Sequence, residues 1–502
     1  MTPALIVTIL VLYFGLLVAI SFFTSQAKGN DGFFVGERQS PWYLVAFGMI
    51  GASLSGVTFL SVPGWVGNSS NQFSYMQAVL GYFIGYLIIT YILMPLYYKM
   101  NVVSIYEYLK ERFGFLSHKT GAVLFILSRV IGASVRLMLV AEVLQSILFD
   151  DWGIPFELTV TICILLIWLY TNRGGIKTIV WTDTLQTAFM LFSVGLTVYF
   201  IANALPNTED IGIIEQVTNG PYGQIFFFED FYGSNHFLKH FFGGVFIAIG
   251  MTGLDQDMMQ KNLSCKSLND AQKNMMSMAS VLIVVNLVFL FLGALLYMYA
   301  SVYSIPFEKP DMLFSAIAMD NNTPVFIGIL FLLGLIAAAY SSADSALTSL
   351  TTSIFVDLIP EKRKTDDNKV HLRKRIHVAV SLLIIIVVLI LHHFTDDSAI
   401  GLLMKFAGFT YGPLIGVFFF GILTKQALND RAIPLTSMIS ISFTFLLWYY
   451  SKGAPGVEKG APGILGEYAF GFELIILNAF LTFILLFFAS KAQSILKKCN
   501  LT

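Results

Sequence analysis

The sequence predicts an all-α polytopic membrane protein of about thirteen transmembrane helices, with the N-terminus outside and the C-terminus inside. Three observations carry this prediction: the composition, the length of the apolar runs and the placement of basic residues. Of 502 residues, 56% are hydrophobic and only 12% are charged, whereas a soluble domain usually carries about 25% charged residues. The composition therefore excludes a soluble enzyme, a disordered chain and a nucleic-acid-binding protein with a basic surface.

Thirteen apolar runs provide the predicted spans, since about 20 apolar residues cross roughly 30 Å of hydrocarbon. The first run has no basic region before it and no small-residue cleavage site after it, so we expect a retained helix and not a signal peptide. The run 156–170 is short, and we expect it to gain a turn at one end. The runs are 4–23, 44–66, 73–97, 119–149, 156–170, 178–204, 237–256, 275–300, 324–357, 377–393, 399–424, 433–450 and 470–490.

The basic residues test this count and orient the chain. With the N-terminus outside, the inner segments hold 23 of the 30 Lys and Arg residues, and the outer segments hold four. Three more, Arg129, Arg136 and Lys405, fall within spans. An excess of Lys and Arg in the inner loops is the usual asymmetry of membrane proteins, and an error of one span would scramble it.

Glycine interrupts the second and seventh spans. Residues 47–58 contain three Gly and three hydroxyl side chains, and four Gly residues punctuate the span 237–256. Each Gly weakens a helix by about 1 kcal/mol relative to Ala, and unwound backbone in a membrane occurs where it lines a cavity. Matching interruptions in two halves of a chain indicate a transporter binding site. Close packing between helices through small residues is the alternative.

The interruptions lie five spans apart, which predicts two inverted five-helix repeats after one extra N-terminal helix. The predicted units are 1–43 (N-terminal helix and inner loop), 44–204 (first repeat), 205–236 (outer loop), 237–432 (second repeat) and 433–502 (C-terminal helices and tail).

A stripe of hydroxyl side chains marks the ninth span. At 100° per residue, Ala338, Ser341, Ser342 and Ser345 fall within an arc of about 100°, and Asp344 flanks them. Hydroxyl and carbonyl oxygens are hard ligands that suit hard cations, so the stripe indicates a sodium site. The alternative is that the hydroxyls bond back to their own helix.

Seven ionisable residues lie at membrane depth, where a charge is costly and marks either function or a partner. Arg129 and Arg136 are one heptad apart and share a face of the fourth span. Each could bind a ligand, but internal pairing, such as Arg136 with Asp344 or Asp183, is an equal alternative. The seven are Arg129, Arg136, Glu142, Asp183, Asp255, Asp344 and Lys405.

Enzymatic chemistry is not predicted. The three cysteines lie in unrelated settings and form neither a disulfide framework nor a metal spacing. No nucleophile–base pair or metal cluster occurs at membrane depth.

Several motifs, in this order, resemble the sodium:solute symporter family, the relatives of sodium–glucose cotransporters. The resemblance covers nearly the whole chain, and the ordered set is specific although each motif alone is weak. The motifs are DGFFVGER at 31–38 followed by Pro41-Trp42, SGVTFLSVPG at 55–64, GGIK at 174–177 with VWTD at 180–183 and Gln186, Asp255-Gln256 with Gln260, the Ser341-Ser342 and Ser345 stripe, and YGPLIG at 411–416.

The resemblance implies a leucine-transporter-like fold of five plus five helices and sodium coupling. It implies a main sodium site formed by the backbone carbonyls of Gly51, Leu54 and Ala338 and the hydroxyls of Ser341 and Ser342.

The resemblance also implies a second sodium site in some members, with ligands at Asp183, Ser341, Asp344 and Ser345. Members with that site often have Ser where this chain has Asp344. The extra carboxylate could strengthen a cation site, be neutralised by an arginine or carry a proton.

The resemblance places a solute pocket at the membrane midplane between the two broken helices. In sialic-acid-transporting members an Arg of the fourth span meets the solute carboxylate. The aligned position here is Gly132, with Arg129 and Arg136 about one turn to either side, so either arginine could serve an anionic solute. The matching positions for the rest of the pocket are Ser55, Thr58, Gln77, Phe406, Phe409 and Tyr411.

The expected function is therefore sodium-coupled import of a small organic solute, a sugar or a sugar acid such as sialic acid, by alternating access. A monocarboxylate, a vitamin or an amino acid remains an alternative solute, and a channel or a transporter-like sensor an alternative function. The sensor is disfavoured because the chain ends about a dozen residues after the last span. We expect one or two Na⁺ per cycle, a monomer in the cell (inner) membrane, and no nucleic-acid partner.

Overall fold

The computed structural model describes residues 2–24, 38–206, 212–360, 369–394, 399–458 and 460–499. These ranges are predominantly helical and contain no β-strand, only two isolated bridges. The motif at 31–38 lies outside them except for Arg38, and so do residues 361–368 between the ninth and tenth predicted spans. The all-α prediction is confirmed.

The helices are numbered in chain order within the described ranges. They are α1 (Pro3–Thr24), α2 (Trp42–Ser53), α3 (Gly56–Trp65), α4 (Tyr75–Met100), α5 (Glu107–Arg112), α6 (Phe115–Trp152), α7 (Phe156–Ala204), α8 (Ile213–Thr218), α9 (Phe237–Gly253), α10 (Gln256–Leu263), α11 (Leu268–Tyr303), α12 (Pro310–Met319), α13 (Val325–Leu358), α14 (Lys369–Phe394), α15 (Ala399–Leu423), α16 (Ala432–Tyr449) and α17 (Leu474–Cys499).

Two helix pairs coincide with the predicted interruptions. In the described ranges ten helices are long and apolar enough to cross a membrane, or up to twelve when each bent pair counts as one span. The pair α2 and α3 bends by 53°, and the pair α9 and α10 bends by 62°. The predicted run 156–170 falls on the first part of α7, where Phe156–Trp168 is shorter than a span. Thirteen spans, the orientation and the repeat boundaries stay predictions.

The first bend exposes backbone carbonyls inside the protein. Helix α2 ends at Ser53 because Leu54 leaves the helical region (φ −88°, ψ 79°) and Ser55 is extended (φ −76°, ψ 178°). The N–H of Leu54 still donates to the carbonyl of Ile50 at 2.9 Å. The last carbonyls of a helix have no partner within it, and Gly51 supplies one of them.

The second bend is stabilised by polar side chains from three separate parts of the chain. The Asp255 carboxylate caps α10 by accepting two backbone N–H groups at 2.9 and 3.3 Å, as N-cap acids do. The Tyr97 hydroxyl donates to the carbonyl of Gly253 at 3.0 Å, and the Tyr106 hydroxyl donates to that of Leu254 at 2.9 Å. The unwound backbone is thereby satisfied away from lipid.

The seventh span is longer than the sequence indicates. The apolar run ends at 256, which predicts a loop before the next run at 275, but α10 continues the bent pair to Leu263 and all eight of its residues are buried. A hydropathy pattern predicts that Asp257 and Lys261 face water, because hydropathy scores each residue without regard to its neighbours in space. Here both side chains are buried because opposite charges on neighbouring helices balance them.

Close helix packing positions the first bend. A Cβ added to Gly51 would lie 2.0 Å from Thr187 Oγ1, and one added to Gly48 would lie 3.1 Å from Asp183 Cβ. Glycine at these positions therefore allows α2 to approach α7 beside Asp183. Helix α13 packs against α7, α2 and α3, so the hydroxyl stripe lies next to the bend.

Candidate ion and solute site

A cavity of about 90 Å³ lies between the two bends. Four of the predicted solute-site residues line it, namely Ser55, Thr58, Arg129 and Arg136. Helices α4, α9, α10 and α15 contribute the other walls, with Thr252 and Met258 next to the second bend. Small-molecule pockets usually measure about 300–1,000 Å³, so this contracted cavity must widen to admit a sugar-sized solute.

Three tyrosines in the cavity wall were not predicted. Tyr75, Tyr82 and Tyr86 all line the cavity from α4, and the hydroxyls of Tyr75 and Tyr82 lie 3.2 Å apart. Spacings of seven and four residues place them on one helical face. That periodicity is visible in the sequence and was the signal that could have identified them.

The two arginines of α6 differ in their partners. Arg129 forms an ion pair with Asp257 and lies 3.8 Å from an Asp255 carboxylate oxygen. Arg136 is 8% exposed and has no ion pair within the described ranges, and its Nε has no hydrogen-bond partner there. The structure thus shows neither Arg136–Asp344 nor Arg136–Asp183 pairing.

The remaining predicted solute-site residues lie elsewhere. The Gln77 amide accepts from the N–H of Phe227 at 3.1 Å and donates to the carbonyl of Asn235 at 3.0 Å, so it connects α4 to the predicted outer loop 205–236. Phe406 and Phe409 line a separate cavity of about 600 Å³ bounded by α6, α15 and α16. The Tyr411 hydroxyl donates to Asp255. A role for these four in solute binding stays a prediction.

The residues predicted to form the main sodium site lie close together, at the first bend and on α13. Ala338, Ser341 and Ser342 are buried on α13, against the bend that exposes the Gly51 and Leu54 carbonyls. The Ser342 hydroxyl approaches the carbonyl of Ala338 only at 3.5 Å, which is a weak bond to its own helix. The negative end of the α2 dipole also points into the bend. Neutral oxygen ligands at the negative end of a helix dipole fit a hard monovalent cation.

The second predicted sodium site already holds a cationic side chain. The Ser341 hydroxyl donates to one Asp183 oxygen at 2.8 Å. The Lys261 ammonium contacts the other Asp183 oxygen at 2.8 Å and donates to Ser345 Oγ at 2.8 Å. Asp344 is fully buried and adds its charge to the field around Lys261. The predicted ligands are thus together, but around an ammonium that the sequence did not indicate.

The central cavity has two chemically different ends. Lys261 also lies 3.9 Å from Asp257, which links it to the Arg129 pair. We call this cluster the charged end of the cavity; it comprises Arg129, Asp183, Asp255, Asp257 and Lys261.

At the other end, Trp65 lies 6.3 Å from Phe472, which stacks on His240 at 4.4 Å. Tyr75 lies 6.5 Å from Phe472 between ring centroids. We call this cluster the aromatic end; it comprises Trp65, Tyr75, His240 and Phe472.

Two broken spans around a central cavity, with free carbonyls facing a hydroxyl-bearing helix, define a cation-coupled membrane transporter. The sequence model of the sodium:solute symporter family matches residues 33–439, and the chain belongs to this family. It is therefore a sodium-coupled secondary active symporter of small organic solutes, with Na⁺ as the coupling ion, and not an enzyme.

Relatives of this chain transport different solutes. It is 23% identical over 457 residues to the sodium/sialic acid symporter NanT of Aliivibrio fischeri, covering 88% of this chain and 86% of that protein. It is 26% identical to the sodium/sialic acid symporter SiaT of Proteus mirabilis (85% and 86% covered). It is 27% identical to the human sodium-coupled monocarboxylate transporter 2 (84% and 68% covered).

Solved structures support the fold. A substrate-bound, outward-open Na⁺-coupled sialic acid symporter superposes with a TM-score of 0.80 at 20% identity, covering 97% of this chain and 98% of that one. The nucleobase-cation symporter Mhp1 in a closed conformation gives a TM-score of 0.57 at 13% identity, with 93% and 95% covered. These matches confirm the leucine-transporter-like class of the fold.

Proposed function

We propose that this symporter imports a small solute carrying a carboxylate, with sialic acid as the first candidate, and that Arg136 binds the carboxylate. One observation carries the proposal: Arg136 is a buried arginine in the wall of the central cavity without an ion pair in the described ranges. A buried charge without a partner is strongly unfavourable, so a ligand anion is the expected partner.

The chemistry of the cavity favours this solute class. The planar guanidinium of arginine binds a carboxylate through two parallel hydrogen bonds. Ser55, Thr58 and Tyr75 add hydroxyl groups to the same wall, which suits a solute rich in hydroxyl groups. Two relatives are sialic acid symporters, and a sialic acid combines a carboxylate with a sugar-like body.

A monocarboxylate is the second candidate. The small volume of the cavity, about 90 Å³, favours it, and the human monocarboxylate transporter matches over most of this chain. Arg136 has the same role for either solute, so the two candidates differ only in how far the cavity must widen.

Sodium at the main site would couple to the solute through the first bend. An ion held by Gly51 and Leu54 on one side and by Ser342 on the other ties α2 to α13. The same bend continues into Ser55, which lines the cavity, so ion binding organises the solute site. One charge moving inward at −100 mV contributes about 2.3 kcal/mol, before any concentration gradient.

We propose the cell (inner) membrane as its location, with the N-terminus outside and the charged end of the cavity facing inward. The asymmetry of the basic residues supports this orientation. A monomer is the proposed functional unit because the ion and solute sites lie within one bundle, and no role with nucleic acid is proposed.

Uptake into proteoliposomes tests the proposal. Radiolabelled sialic acid and lactate would be supplied with an inward Na⁺ gradient, a choline gradient as the control, and glucose as a neutral solute. We expect Na⁺-dependent uptake of one carboxylate and its loss in Arg136→Gln, with partial retention in Arg136→Lys because the charge remains. Uptake of glucose alone, undiminished in Arg136→Gln, would refute the proposal.

A further inference from the structure

Lys261 is a buried ammonium held by the oxygens predicted to bind a second sodium ion. It is 1% exposed and lies on α10, immediately after the second bend. Its Nζ is 2.8 Å from Asp183 on α7 and 2.8 Å from Ser345 on α13. Three helices therefore meet at one cationic atom.

The ammonium and a sodium ion would compete for the same oxygen atoms. Lys261 uses one oxygen of Asp183, and the Ser341 hydroxyl donates a hydrogen bond to the other at 2.8 Å. The hydroxyl oxygen of Ser345 accepts from Lys261 as well. A sodium ion at this position would lie against the ammonium with both charges buried, and like charges at such a distance repel strongly. The residues present do not fit a second sodium ion.

We propose that Lys261 is a built-in cation that permanently occupies this position, so that the protein binds a single sodium ion per transport cycle, at the main site. The inference rests on sodium-coupled symport but not on the identity of the solute or on the role of Arg136. Lys261 is a positioning residue. It takes the place of a second sodium ion, and the release of that ion inside would otherwise contribute to the driving force for solute import.

The buried ammonium of Lys261 provides a physical reason for the buried carboxylate of Asp344. Asp183, Asp257 and Asp344 all contribute to the field at the ammonium, and Asp344 is fully buried. A buried carboxylate requires a compensating charge. A lysine supplies that charge in every step of the cycle, whereas a sodium ion would supply it only while bound. The buried carboxylate of Asp344 is therefore consistent with a covalently attached cation nearby.

The position of Lys261 beside the second bend lets its ammonium bridge three helices. Because Lys261 is on α10 while Asp183 and Ser345 are on α7 and α13, the contact links the broken span to two continuous helices. An ion could perform this bridging only after it entered from solution. The tethered ammonium forms the same bridge without an entry step.

Equilibrium binding of ²²Na⁺ to the purified full-length protein, without any solute, tests the proposal at pH 8. We expect one ion per wild-type chain, none in Ser342→Ala at the same concentration, and one in the conservative variant Lys261→Arg. Removing the ammonium in Lys261→Ala vacates the oxygens of Asp183 and Ser345, so we expect two ions there. A well-folded Lys261→Ala that binds one ion would overturn the proposal.

The double variant Asp183→Asn/Lys261→Met protects the test against a folding defect, because it removes the buried charge pair together. We expect it to bind one ion, as the wild type does. Two ions in the wild type and one in the double variant would overturn the proposal. Since no solute is present, the measurement cannot fail because the carboxylate assignment of Arg136 is wrong.

Discussion

The two ends of the central cavity are closed by different physical interactions. At the charged end, Arg129 and Lys261 pair with acidic residues in the interior. At the aromatic end, His240 stacks on Phe472 and Trp65 packs beside them. Neutral hydrogen bonds, such as that from Trp65 Nε1 to Ser74 Oγ at 3.1 Å, complete this closure.

The difference determines what each end requires in order to open. Separating stacked rings exposes apolar surface at a cost that grows with area, and water readily replaces the neutral hydrogen bonds. Separating buried ion pairs leaves charges uncompensated until water or new partners reach them. We infer that the aromatic end opens more easily and that ion and solute binding must prepare the charged end for opening.

The largest effect that distinguishes the two ends should come from breaking the charged one. Asp257→Ala removes the partner of Arg129 and a neighbour of Lys261, leaving positive charge buried, so we expect a loss of about 3–5 kcal/mol of stability. Thermal unfolding in detergent measures it as a fall in Tm.

The matched control for Asp257→Ala is the exposed ion pair between Lys452 and Glu467. Exposed pairs contribute little to stability, so Lys452→Ala should leave Tm almost unchanged. Equal shifts for the two variants would show that the charged end is not held by buried ion pairs.

Ser342→Ala should weaken sodium binding without opening either end. The hydroxyl is a predicted ligand of the ion, and loss of one buried polar partner costs about 1–3 kcal/mol. We expect the sodium concentration for half-maximal uptake to rise roughly 10–100-fold, measured in proteoliposomes at fixed solute.

Ser349→Ala is the control for Ser342→Ala on the same helix. Ser349 is buried, and its hydroxyl donates to the carbonyl of Ala346 at 3.2 Å, so it serves its own helix. We expect normal sodium dependence in this variant. Unchanged sodium dependence in Ser342→Ala would instead remove that residue from the ion site.

The features set by local chain chemistry could be predicted from the sequence. Run lengths locate the spans, and clustered glycine locates both bends, because backbone propensity acts where the residues are. The stripe with Ser341 and Ser342 follows from helical periodicity in the same way. The four predicted solute-site residues that line the cavity lie either at the first bend or on one face of α6.

The features that the sequence did not indicate depend on which helices meet. Arg129 and Arg136 share a helix face and look equivalent, but only Arg129 lies at the level of Asp255 and Asp257. Lys261 looked like a loop residue because its partner Asp183 is distant in sequence. Gln77 lies on α4 at a level where an outer loop covers it. Rotation and depth of a helix relative to its neighbours cannot be obtained from the periodicity of that helix alone.

The smallest predicted effect concerns the hydrogen bonds at the aromatic end. Gln77 connects α4 to the outer loop through Phe227 and Asn235. Because such neutral hydrogen bonds contribute about 0.5–1.5 kcal/mol, Gln77→Ala should increase the open population at this end only about 2–10-fold. A cysteine at Thr252, in the cavity wall, reports opening through its labelling rate with a membrane-impermeant thiol reagent.

The labelling experiment uses a Cys499→Ser background, since Cys163 and Cys265 are buried. Gln224→Ala is the control, because the Gln224 side chain is exposed and donates within its own loop, to the carbonyl of Phe226 at 3.1 Å. We expect faster labelling from outside in Gln77→Ala and an unchanged rate in Gln224→Ala. If Gln77→Ala does not accelerate labelling, the loop contacts do not hold the aromatic end closed. The stacked rings would then carry that closure alone, and the two ends would differ less in their resistance to opening than the contacts indicate.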